Sequence, residues 1–209
     1  MLLRTALLAL TFLSASVSAE VVQGRDYKTL SPARPAVTSA KLEVVEFFSY
    51  GCPHCADFHP SITQWAKSLP KDATFVRVPV AFGRPQWGQL VRTYYALEAL
   101  GQLDKFDEPL FKAIHDERKP LFSEESIASW LGQNGGDAAK FREAFNSFSV
   151  SQKSARAEQL SRDYRVSGVP QVVVAGKYAV TGNSYPDVLR ISSELVEQER
   201  AATGGKRAN

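Results

Sequence analysis

The sequence predicts an α/β chain in which a central mixed β-sheet, flanked by helices, is interrupted by an inserted all-helical region. Three observations carry that expectation. Apolar, β-branched runs occur at 42–48 and 73–80, and again at 170–174 and 177–181, but not between. The first two runs enclose a helical pattern, which makes a parallel βαβ unit with a right-handed crossover. The last two are separated by Ala175-Gly176 and read as an antiparallel hairpin. From Arg84 to about Arg165 the apolar period is helical throughout.

Taken in order, the chain opens on a leader. Met1-Leu2-Leu3-Arg4 carries one positive charge, Thr5 to Val17 is mostly apolar, and Val17-Ser18-Ala19 has the small-residue form of a cleavage site. Residues 1–19 are therefore expected to be a signal peptide, cleaved after Ala19, and an exported chain works where disulfides persist. Glu20 to Ala40 is polar with Pro32 and Pro35, an extended lead-in with room for a short edge strand. Leu42 to Phe48 is nearly continuously apolar and so predicts a strand buried on both faces, Glu46 being the exception. Cys55, Phe58, Ile62, Trp65 and Leu69 then recur at helical spacing, with Pro60 inside as an expected kink.

Five helices are expected to fill the insertion. Trp87, Leu90, Val91, Tyr94 and Leu97 mark one, closed by Gly101. Phe106, Leu110, Phe111 and Ile114 mark the next, with His115 on a charged edge where solvation is expected. Ser123 caps a third with Glu124 and Glu125 in its first turn, ending at Gly132. Asp137 opens a fourth along Phe141, Phe145 and Phe148, followed by a polar helix to Tyr164. Pro186 begins a last helix, and 204–209 is an expected unstructured tail. The division this gives is one sheet-bearing domain, 20–83 and 166–209, with 84–165 inserted.

The chemistry concentrates in Cys52-Pro53-His54-Cys55, which holds the only two cysteines. Two thiols spaced by two residues between a strand and a helix point to a redox dithiol. Gly51 breaks the strand, and Pro53 suits a first helical turn because its missing N–H needs no partner there. Cys52 is thus expected at an exposed helix N-terminus, where free N–H groups and the dipole stabilise a thiolate. His54 can add a donor or a positive charge, while Cys55 points to the core as a shielded resolving thiol. Glu46, six residues before Cys52, reads either as a surface carboxylate or as a desolvated acid that handles the proton of Cys55.

Other chemistries are less well served. A purely structural disulfide closing so short a ring would remove little chain entropy. Zinc needs two further ligands, and only His54, His59 and His115 exist, with no second pair at ligand spacing. Covalent haem needs His after the second cysteine, where Ala56 stands. A net charge of +3 without a basic, aromatic-interleaved cluster gives no sign of nucleic-acid binding.

The motif Glu46-Phe47-Phe48-Ser49-Tyr50-Gly51-Cys52-Pro53-His54-Cys55, together with Gly168-Val169-Pro170, resembles the DsbA family, bacterial periplasmic dithiol oxidases. The resemblance spans nearly the whole mature chain, including the position of the insertion. It implies a thioredoxin fold, and a cis Val169-Pro170 bond facing the dithiol as the contact for substrate backbone. It also implies Glu46 as the family's buried acid, with Arg77 standing where the family often has a lysine. No cofactor beyond the Cys52–Cys55 disulfide is implied, and no metal. The implied partners are reduced or unfolded exported proteins and a DsbB-like quinone-linked membrane protein for reoxidation; the sequence leaves the oligomeric state open, with a monomer as the default. The segment 180–186 looks shorter than the matching loop of the best-known members, which bears on partner preference. A disulfide isomerase or reductase is the nearest rival, and a metal- or thiol-binding chaperone without turnover is a rival of another class. Family isomerases carry an extra dimerisation domain, for which only 20–41 is available here.

Overall fold

The strand Leu42–Phe48 (β2) is buried at all seven positions, its two acids Glu43 and Glu46 included. It is central in a computed structural model that describes residues 20–204; the expected signal peptide, 1–19, and the tail from 205 lie outside the described residues. The five-stranded sheet has the order β1-β5-β4-β2-β3. Tyr27–Thr29 (β1) is the short edge strand of the lead-in, Ala73–Pro79 (β3) the opposite edge, and Gln171–Val174 (β4) and Tyr178–Val180 (β5) the hairpin. β2 runs parallel to β3, with Glu46 opposite Arg77, and antiparallel to β4. Ala175 and Gly176 both take positive φ, 55° and 64°, as the central residues of the tight turn that Lys177 N–H closes on Val174 O at 3.0 Å.

Pro53–Ala66 (α1) connects β2 to β3. It stops before Leu69, so the apolar stripe read from the sequence outlasts the helix; Ser68 N–H already closes a turn on Trp65. The insertion comprises Pro85–Ala99 (α2), Leu103–His115 (α3), Glu124–Gln133 (α4), Ala138–Phe145 (α5) and Phe148–Asp163 (α6). Its boundaries have local causes. Gly101 at φ 64° lets α2 end with Gln102 N–H on Leu97 O and its own N–H on Glu98 O. The Ser123 hydroxyl accepts from Ser126 N–H, and Asp137 accepts from Ala139 and Lys140 N–H. One expectation fails here: α5 ends at Phe145, and Phe148 starts α6 with 78% of its surface exposed. Ser147 caps α6 through Val150 N–H, and that new helix start turns Phe148 out of the stripe formed by Phe141 and Phe145.

Tyr185–Gly204 (α7) closes the chain against α1 and the sheet. Two apolar layers result. Leu42 and Val44 pack with Phe58, Ile62, Ile191 and Leu195 under α1 and α7, whereas Val45 and Phe47 join the larger core built with the insertion. Burying each such side chain contributes about 1.5–3 kcal/mol. Glu43 is a second buried acid in β2, and its carboxylate accepts from Val37 N–H at 2.7 Å and Thr38 N–H at 2.6 Å, tying down the lead-in.

Candidate active site

Cys52 occupies the N-cap of α1 in an extended conformation, with Pro53 as the first helical residue. Its carbonyl accepts from Cys55 and Ala56 N–H, both at 3.1 Å, which turns the strand end into the helix. Both cysteines are free thiols. Cys52 was expected to be exposed, but only 6% of its surface is, against 0% for Cys55. The cover comes from the other end of the chain: the Val169–Pro170 bond is cis, and the Cys52 thiol lies 3.4 Å from Val169 O. The residues that begin β4 thus sit directly on the sulfur.

The two thiols differ sharply in acidity. Cys52 is lowered from 9.0 to about 6, first by a hydrogen bond from the Cys55 thiol and then by the N–H groups of Cys55 and His54 and the charge of the exposed His54 side chain, against the opposing effect of burial. Cys55 is pushed strongly upward, chiefly by burial, and further by the neighbouring Cys52 sulfur and the charge of Glu46. This is the asymmetry expected of a leaving sulfur and a retained, protonated one.

Beneath the dithiol lies an ionic cluster. Glu46 is fully buried; its Oε2 accepts from Arg77 Nε at 2.8 Å, while Oε1 has no partner. Burial raises its pKa, with Arg77 opposing. Arg77 also reaches Asp107 of α3, and its guanidinium lies 3.8 Å above the Phe48 ring. Asp107 further accepts from the Tyr50 hydroxyl and stands 3.5 Å from His59 Nε2. The insertion also grips the active-site turn. His115 was expected in solvent, yet its Nε2 lies 2.7 Å from Tyr50 O, and the Trp87 indole stacks so close to Gly51 that a Cβ there would meet Nε1 at 2.5 Å.

Beside Cys52 a groove of about 330 Å³ is lined by His54, Phe58, Pro170, Val180, Tyr185 and Val188 among others. Tyr185 stacks on Phe58 and donates its hydroxyl to His54 O at 3.0 Å. The structure therefore brings Cys52, Pro53, His54, Cys55, Glu46, Val169 and Pro170 to one locus. Sequence reasoning missed Tyr50, Asp107, His115 and Tyr185 there. It also missed His59, whose position four residues after Cys55 was the available signal that both share a helix face.

Among the described residues no group of three or more His, Cys, Asp or Glu is placed to hold a metal ion, and no helix is long and apolar enough to cross a membrane. The model of the DSBA-like thioredoxin domain matches residues 43–192. The chain is 37% identical over 204 residues to the thiol:disulfide interchange protein DsbA of Bordetella parapertussis, covering 96% of each. It is 40% identical over 202 residues to that of Azotobacter vinelandii, covering 95% of this chain and 94% of that one. The crystal structure of Pseudomonas aeruginosa DsbA superposes with a TM-score of 0.82 at 38% identity, covering 87% of this chain and 95% of that one. The oxidoreductase NmDsbA1 of N. meningitidis gives 0.80 at 28% identity, covering 89% and 97%. A thioredoxin-type sheet, a helix-capping Cys-Pro-His-Cys and a facing cis-proline agree with that kinship: the chain belongs to the DsbA family of thiol:disulfide oxidoreductases.

Proposed function

We propose that this chain is a periplasmic dithiol oxidase that introduces disulfides into newly exported proteins through Cys52 and Cys55. A substrate thiolate attacks Cys52 Sγ; the intramolecular S–S bond breaks, and Cys55 leaves with the electron pair and takes a proton from Glu46. A second substrate thiolate then attacks the substrate sulfur of the mixed disulfide. That step forms the product disulfide and releases Cys52 as a thiolate, so two electrons pass from substrate to enzyme. Substrate backbone lies along Val169-Pro170 in strand-like pairing, which makes little demand on side chains. Reoxidation passes the two electrons to a DsbB-like, quinone-linked membrane partner, and the oxidase works as a monomer. Residues 1–19 serve as the export signal, and 84–165 as a helical domain inserted between 20–83 and 166–209.

The observation that carries this reading is the difference between the two thiols, one held as an anion at a helix N-terminus and one kept protonated in the core. A stabilised thiolate favours the reduced enzyme and hence oxidation of the substrate. The Cys55→Ser variant, offered a reduced unfolded protein under mild oxidant, should accumulate a mixed disulfide on Cys52. The Cys52→Ser variant should accumulate none; equal trapping by both would refute the assignment of Cys52 as the exchanging thiol.

A further inference from the structure

Arg77 has one guanidinium and two carboxylates to serve. A guanidinium facing one carboxylate makes a two-point fork, but here Nε goes to Glu46 and Nη1 to Asp107. With Nη1 held by Asp107 from the opposite edge, the Nε–Nη2 fork is only half closed on Glu46: Glu46 Oε1 and Arg77 Nη2 are both without partners. Asp107 fares better in the same competition, because Arg77, the Tyr50 hydroxyl and His59 all converge on it. Its main chain belongs to α3 of the insertion, whereas Glu46 and Arg77 stand opposite each other in β2 and β3.

We propose that Asp107, contributed by the inserted helices, is a positioning residue that keeps Arg77 from engaging Glu46 at both oxygens and so holds Glu46 as a proton-carrying acid for Cys55. The inference rests on the reading of Glu46 as the proton donor. The charged and titratable groups around Glu46 are Arg77 from β3, Asp107 from α3, Cys55 from α1 and Tyr94 from α2. Of these, Arg77 favours the carboxylate and Asp107 opposes it, while Tyr94 stays neutral because burial raises its pKa. Neutralising Asp107 removes a like charge and at the same time releases Nη1, so that the guanidinium can turn its Nε–Nη2 edge onto both Glu46 oxygens. Both effects act in one direction.

The test is a titration of Glu46 in the full mature chain labelled with 13C-carboxyl glutamate, its resonance identified by its loss in Glu46→Gln. Asp107→Asn should lower the Glu46 midpoint by about one pH unit or more, and Asp107→Thr, a second neutral replacement, should do the same. Asp107→Glu, which restores the charge, should keep the midpoint near that of the unsubstituted protein. An unchanged midpoint in a folded neutral variant overturns the proposal, as does an equal shift in Asp107→Glu. The proton role of Glu46 is read separately, from the pH profile of dithiol oxidation by Glu46→Gln. An unaltered profile there refutes the role of Glu46 and is distinguishable from failure of the Asp107 coupling.

Discussion

Removing the Cys55 thiol should raise the Cys52 pKa more than removing the imidazole of His54. The Cys55 S–H is the first cause of the lowering to about 6, ahead of the two backbone N–H groups, and the His54 charge is the smallest of the contributions that lower it. A hydrogen bond to an ion is worth about 1.5–3 kcal/mol, and one pKa unit is about 1.4 kcal/mol. Cys55→Ala should therefore shift the Cys52 transition upward by about one to two units. His54 is exposed, so its charge is screened, and His54→Ala should cost less than about 0.7 unit, the span of exposed ion pairs. The assay is the ultraviolet absorbance of the thiolate against pH for the reduced proteins. A larger shift in His54→Ala would refute the assignment of the principal donor to Cys55.

The same acidity links to stability. Because the folded pKa of Cys52 is below the unfolded one, the stabilisation of the reduced protein is fully present above pH 9 and is lost as pH falls through about 6. A three-unit lowering is worth on the order of 4 kcal/mol at most, less for screening at the groove, and about 1.4 kcal/mol of it is realised at pH 7.

Arg77→Met should destabilise the fold by about 3–5 kcal/mol in denaturant melts, because it strands the fully buried Glu46 and the partly buried Asp107 without their shared cation; a loss below about 1 kcal/mol would mean that the cluster is held by other groups. Gly51→Ala should cost about 1–3 kcal/mol through the Trp87 clash, and Trp87→Ala in the same background should recover part of that loss. A neutral Gly51→Ala would contradict the close packing of α2 on the active-site turn.

The sequence was most informative where the cause of structure is local. Cys52 and Cys55 declare themselves by spacing, Gly101 and Ser123 by cap chemistry, and β2 by the apolar, β-branched and aromatic residues that fill most of its length. The contacts that finish the site are long-range and carry no such signal. Asp107 follows Phe106 on a helix flank, and only the packing of α3 against α1 brings it to Arg77, thirty positions away. His115 reads as a surface residue because its neighbours in sequence are charged, while its true partner is the Tyr50 carbonyl. Cys52 lost its expected exposure for the same reason: the covering carbonyl of Val169 lies 117 positions downstream. Arg77 beside Glu46 was accessible through the family resemblance, and the parallel register of β2 and β3 supplies the physical reason.

The central claim is that the reduced form is stabilised by one anionic sulfur, which makes the pair an oxidant. The most direct measurement is the equilibrium reduction potential of Cys52–Cys55 against glutathione buffers across pH 5–9, with Cys52→Ser as the blank. We expect a potential more oxidising than glutathione and, above about pH 6, a slope of about 30 mV per pH unit, since only one proton then accompanies two electrons. A reducing potential with a slope near 60 mV per pH unit up to pH 8 would contradict the account, because both sulfurs would then be protonated in the reduced state.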